Sequence, residues 1–220
     1  MTGAPRQHSA QQPPDPSADL TTFPARHVAA GTQWYREHGV QGPWFFAAGP
    51  GGRFNLDEPS GTLYLANRPE AAARERIGPD HVQHGLVPHG VVANRWVSTL
   101  HLHAAVAAAH VNHESAPAHR VVPELVVMRP YDTPRAWAKA FFDAGFGGVW
   151  GMLGHSSGTC RGLSVFGAAG PRDWPGDPRP VLLSALLDDM TSISVVGPPT
   201  LDELPVVPPP VDQSTAPRSP

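Results

Sequence analysis

The stretch "GTLYLANRPEAAARERIG", residues 61–78, changes character halfway along. "GTLYLA" is an apolar run with Tyr64 inside it, the pattern of a buried strand. "NRPEAAARERIG" reads as a helix. Asn67 can cap it, and Glu70 three residues later completes a capping box. Pro69 sits in the first turn, where a missing N–H costs little, and Gly78 supplies a stop.

Elements on either side extend this strand-to-helix unit. "TQWYREHG" (32–39) reads as a short strand or turn, and "GPWFFAAGPGGRFN" (42–55) as a strand, a tight turn and a return. Residues 79–90 read as loop. A strand is expected near 91–100, then a helix through the Ala-rich run to about residue 111. "PELVVMRP" (123–130) fits a short strand or helix. "TPRAWAKAFFDAG" (133–145) is a helix with Thr133 as cap, Pro134 at its first position and Gly145 as stop. "GGVWGML" and "GLSVFG" are two strands around a loop at 154–162. "VLLSALLDDM" reads as a helix and "SISVVG" as a last strand. Strands and helices follow no regular βαβα alternation, so the fold class expected is α+β.

Composition bounds the rest. The chain has 220 residues and 27 prolines, 13 of which fall in the first 24 and last 23 residues. Residues 1–28 therefore read as a disordered arm and 209–220 as a disordered Pro-rich tail, leaving one domain over 29–208. Net charge is −3 with no basic block, which disfavours nucleic-acid binding. The first 30 residues hold no apolar signal region, no run approaches a membrane span, and the single cysteine, Cys160, can form no internal disulfide. The expectation is a reduced, cytoplasmic setting.

"GHSSG" (154–158) formally matches G-x-S-x-G, the nucleophile elbow of α/β-hydrolases. The match fails on context. "GTCRGLSVFG" follows it in place of a helix, and none of the twelve histidines lies beyond His155. A triad in the order serine, acid, histidine is thus excluded. The histidines raise a metal reading: His101, His103, His110 and His113 crowd one segment. They lack both the H-E-x-x-H pattern and a cysteine pair, and scattered surface histidines explain them as well. "GPGG" (49–52) reads as a hairpin turn, since it opens no helix.

Another group carries more chemistry. Arg36, Arg53, Tyr64 and Glu75 fall within 40 residues on neighbouring strands and one helix. Arginines suit a diphosphate, a tyrosine ring offers a face to a flat heterocycle, and a carboxylate can stabilise an oxocarbenium-like centre. Taken singly, each residue has an ordinary alternative as a surface ion-pair partner or a core strand residue.

At these residues the sequence resembles the RES domain family, named for its Arg, Glu and Ser. "WYREHGVQGPWFFAAGPGGRFNL" is similar to that family's opening, and "GTLYLANRPEAAARE" to its strand-to-helix signature. "PYDTPRAWAKAFFDAGFGGVWG", "LSVFGAAG" and "PTLDELPVV" follow in the family's order, so the resemblance covers residues 29–208. It implies a fold like that of ADP-ribosyltransferases, with small β-sheets around an NAD cleft and flanking helices. It implies a toxin of a type II toxin–antitoxin pair that cleaves the nicotinamide–ribose bond of NAD by hydrolysis or phosphorolysis, or transfers ADP-ribose to a protein. By motif, Arg36 and Arg53 map to NAD-binding arginines, Tyr64 to the aromatic beside nicotinamide, and Glu75 to the catalytic glutamate, with Arg53 beside it. NAD is then a substrate, no metal is expected, and the partner is an Xre-like antitoxin, with a homodimer as a further option. The third letter departs. Laid without gaps, Leu153 stands where the family has its serine, and Ser156 and Ser157 lie three and four residues later. Either one of these supplies the hydroxyl or the site lacks it. The alternative function is therefore a RES-like binding module with impaired chemistry.

Overall fold

The computed structural model describes residues 11–190 and 193–198. In chain order the strands are β1 (Ala25–Val28), β2 (Gln33–His38), β3 (Phe45–Phe46) and β4 (Ser60–Ala66), followed by helix α1 (Pro69–His84). Then come β5 (Val87–Pro88), the one-turn α2 (His89–Val92), β6 (Trp96–His101) and β7 (Val106–His110). Helix α3 (Asp132–Asp143) precedes β8 (Gly148–Gly151) and β9 (Gly162–Ala168). The described residues end with β10 (Gly170–Pro171), β11 (Val181–Leu182), α4 (Leu183–Asp188) and β12 (Val195–Val196). The class is α+β, as the sequence leads one to expect. One eight-stranded sheet, in the order β1-β7-β8-β9-β4-β2-β6-β11, dominates over two small two-stranded pairs. Only β7 and β8 run parallel within it, and the segment joining them carries α3.

One face of the sheet carries both long helices. Trp137 and Phe141 of α3 are fully buried against Ala109 and Val149, and burial of side chains this size is worth about 1.5–3 kcal/mol each. Farther along, Ala71, Ala72, Ala73 and Ile77 of α1 pack on Ala66 and Val97. Leu63, Leu65 and Leu163 alternate to the opposite face and meet Trp34, Trp44 and Phe46.

The sheet divides near its middle. β2 and β4 pair only at Tyr35↔Ala66. Past that point β2 stays with β6 as far as His38, while β4 stays with β9 over its whole length. Residues 36–38 and residues 60–65 therefore part, and the principal cleft lies there.

Several expectations need correction. Residues 11–28 are not a disordered arm: Leu20 and Phe23 are in the core, and β1 is the sheet's edge strand on β7. Gln11 is 2% exposed, with its Oε1 accepting the Val122 N–H at 2.8 Å and its Nε2 donating to Arg120 O at 3.1 Å. Polar composition suggested disorder there, but the buried Gln11 amide is satisfied by the backbone of residues 120–122. Residues 1–10 lie outside the described residues, as do 199–220 with the expected tail. The Ala-rich segment is strand β7, not helix; Ala108 and Ala109 have 0% exposure in the sheet interior, where small residues fit between layers. Residues 91–95 are not strand, which begins at Trp96. "PELVVMRP" takes the helical one of its two expected forms, as a 3-10 helix at Pro123–Val126. Helix α1 starts after Arg68 and runs through Gly78 and Pro79 to end at Gly85, whose φ of +69° suits glycine. Helix α3 starts at Asp132, so Thr133 lies inside it and caps nothing. Among the described residues no helix is long and apolar enough to cross a membrane.

Candidate active site

Tyr64 faces the cleft from β4, and its hydroxyl organises the neighbouring loop. It accepts the Phe54 N–H at 2.8 Å and donates to Asn55 Oδ1 at 2.9 Å. Thr62, two residues back on the same face of β4, donates to Phe54 O at 2.8 Å. These bonds fix the "GGRF" turn that presents Arg53. Gly52 has to be glycine for this: a Cβ there would stand 2.4 Å from Asn55 Oδ1 and 2.7 Å from the Tyr64 hydroxyl oxygen. Burial pushes the Tyr64 phenol well above its usual pKa, so it stays neutral.

Glu75 approaches from α1. Its carboxylate accepts the Gly154 N–H at 3.2 Å on Oε2 and the His155 N–H at 2.7 Å on Oε1. The Ser156 hydroxyl adds a longer bond of 3.4 Å to Oε1. The loop at 154–158 thus closes over the carboxylate. An ideal Cβ on Gly154 would lie 3.4 Å from Arg53 Nη1 and 3.6 Å from Glu75 Oε2, so arginine and glutamate meet at this residue. Asn67 caps no helix. Its Oδ1 accepts the Arg161 N–H at 2.8 Å and its Nδ2 donates to Thr159 O at 3.0 Å.

The cleft has a volume of about 570 Å³, within the range of small-molecule sites. Five arginines (Arg36, Arg53, Arg76, Arg95 and Arg129) and two carboxylates (Glu37 and Glu75) line it. The cleft is cationic although the chain carries −3 overall. Among the described residues, only Arg95 of these five is ion-paired, with Glu37. Arg36 and Arg53 have no ion-pair partner among the described residues, and buried nitrogens, Arg36 Nη1 and Arg53 Nε, lack any hydrogen-bond acceptor. Burial pulls the Arg36 guanidinium down to about 10, against weaker support from the nearby Glu37 charge. It remains charged at neutral pH, and an unpaired buried cation calls for an anion. Arg53 and Arg129 both lie over the Tyr131 ring, at 5.3 and 5.1 Å.

Arg36, Arg53, Tyr64 and Glu75 therefore line one cleft. Leu153 lines it too. Ser156 touches Glu75 from the loop, whereas Ser157 is exposed and outside the lining. A hydroxyl that sequence reasoning missed belongs to Ser164. It is 7% exposed on β9, paired with Tyr64 on one side and Val149 on the other, and it lines the cleft. The signal lay in register: a serine in "GLSVFG" stands opposite the tyrosine of "GTLYLA". The histidines do not converge. His103 stacks on Trp174 at 4.7 Å, while His110 and His113 contact each other at 5.2 Å. Among the described residues no three metal-ligating side chains come together.

No protein-family model matches the chain, and no curated protein matches it in sequence. In fold, the chain is similar to a toxin–antitoxin protein. The likeness is to a chain in the crystal structure of the M. tuberculosis MbcT–MbcA toxin–antitoxin complex, with a TM-score of 0.55 and 15% sequence identity. It covers 74% of this chain and 90% of that one. Identity this low speaks to architecture: a mixed α+β domain with a central sheet and flanking helices.

Proposed function

We propose that the chain is the toxin of a toxin–antitoxin pair and cleaves the nicotinamide–ribose bond of NAD. The observation that carries this reading is the pair of guanidiniums, Arg36 and Arg53, buried in part and without counter-ions among the described residues, in the cleft that also holds Tyr64 and Glu75. In this reading the two arginines bind the diphosphate, a dianion that supplies the missing acceptors. Tyr64 packs beside the nicotinamide. As the C–N bond breaks, nicotinamide leaves with the bonding electron pair and positive charge collects on the ribose. The Glu75 carboxylate stabilises that charge, and water, phosphate or a protein side chain then captures C1. An Xre-like antitoxin is the partner this reading assigns, and the cytoplasm its setting. The resemblance of the motifs and the likeness in fold to a toxin–antitoxin chain support it.

A second reading rests on Leu153, which occupies the place of the family serine, and on the closure of the loop over Glu75. In that reading the cleft binds a nucleotide and performs no chemistry. One experiment separates the two: purified chain is incubated with NAD, with and without phosphate, and nicotinamide release is followed. Release by the wild type that Glu75→Ala abolishes supports the enzyme. Nucleotide binding without release by either protein supports the binding module.

A further inference from the structure

We propose that the loop 154–158 is a clamp that positions the Glu75 carboxylate, with Gly78 as the seat on which it closes. The inference rests on the reading of Glu75 as the reacting carboxylate. Gly78 is buried in the middle of α1, one turn beyond Glu75, where glycine costs about 1 kcal/mol relative to alanine. Its reason is contact. A Cβ at Gly78 would lie 2.1 Å from His155 Cγ and 2.4 Å from Nδ1, so the imidazole rests directly on the helix backbone. Seating His155 there brings its own N–H to Glu75 Oε1 and the preceding N–H to Oε2. Each carboxylate oxygen receives one backbone donor, which fixes both the position and the rotation of the group about its last bond. The far end of the loop is tied by Asn67, whose amide bonds Thr159 and Arg161 just before β9. The helix seat, the loop imidazole and the asparagine tie together orient one side chain. Gly154, His155 and Asn67 are therefore positioning residues. They act on the reaction through Glu75.

Two measurements on the full chain test this. Amide hydrogen exchange should show the Gly154 and His155 N–H groups protected in the wild type and released in Glu75→Ala. Steady-state NAD cleavage should show Gly78→Ala losing about tenfold or more in kcat with KM little changed, as expected when a reacting group is misplaced by a fraction of an ångström. If Gly78→Ala does not fold, Asn67→Ala, a partly exposed position, serves with the same expectation. Fast exchange at both amides in the wild type overturns the clamp whether or not NAD is cleaved. A wild type that cleaves NAD, beside a folded Gly78→Ala with unchanged kcat, overturns it as well. A wild type that leaves NAD intact sinks the functional reading instead, and the clamp is then decided by exchange alone.

Discussion

The Tyr64 hydroxyl donates to Asn55 Oδ1 at 2.9 Å, and Asn55 is 3% exposed. With the Phe54 N–H accepted on the same oxygen, one phenol satisfies two buried groups of the loop that carries Arg53. Tyr64→Phe keeps the ring and strands both groups. The expected cost is about 1–3 kcal/mol of stability, seen as a lower urea midpoint. Because the Arg53 loop loosens, KM for NAD should rise more than kcat falls. An unchanged midpoint would show that the phenol does not hold the turn.

Arg36 should display the opposite trade. Its Nη1 is buried without an acceptor among the described residues, and burial lowers its pKa to about 10. On the proposed reading, the folded state bears that cost for the sake of a ligand. Arg36→Met should leave the protein at least as stable, by about 1 kcal/mol in its favour, while binding of NAD is lost. Isothermal titration with NAD beside a thermal melt checks both halves. Destabilisation together with retained binding would make Arg36 a structural cation.

Much of this architecture was legible in the sequence, and the gaps have physical causes. Strand β4 and helix α1 follow from an apolar run and a Pro-initiated helix pattern. The end of α1 is not legible locally: Gly78 has the look of a stop, while its real constraint is the His155 ring from 77 residues away. Asn67 fits a capping box by spacing, yet loop 159–161 takes its side chain. Strand β7 was hidden because alanine carries no period when both faces of a strand are buried. The cleft itself arises where β2 and β4 part after one paired residue, a feature of register that no local pattern encodes. Ser164 escaped for the same reason. Its place is set by pairing with Tyr64, 100 residues earlier.

Acid should weaken the fold through His38. Its Nδ1 faces Gly39 O at 3.0 Å, so in the neutral ring this nitrogen donates and Nε2 accepts from the Ser98 hydroxyl at 2.8 Å. Burial lowers its pKa below the ordinary 6.5. The Arg36 and Arg95 charges add to this, while the bond to Gly39 and the Glu37 charge oppose it. His110 is lowered in the same direction, chiefly by burial. Below pH 6.5 the unfolded chain binds protons that the folded chain refuses, so stability is complete above that value and declines as pH falls from it. Urea melts at a series of pH values should show this decline, and His38→Gln should flatten part of it. A slope unaltered in the variant would assign the acid sensitivity elsewhere.

The three serines near the cleft should separate kinetically. Ser157 is exposed and outside the lining, so Ser157→Ala should change kcat and KM by no more than about twofold, the range of a surface substitution. Among the described residues, the Ser156 hydroxyl bonds only Glu75, over 3.4 Å. Ser156→Ala should therefore act on kcat alone, by about threefold, the effect of losing one weak hydrogen bond. Ser164 lies buried in the cleft between Tyr64 and Val149, where a bound ligand can use its hydroxyl. Ser164→Ala should raise KM for NAD about three- to tenfold with kcat nearly intact. The pattern distinguishes a hydroxyl that binds from one that steadies the carboxylate. If Ser157→Ala gives the largest effect of the three, the loop must rearrange to carry Ser157 into the cleft. If Ser164→Ala is silent, the cleft operates without a serine.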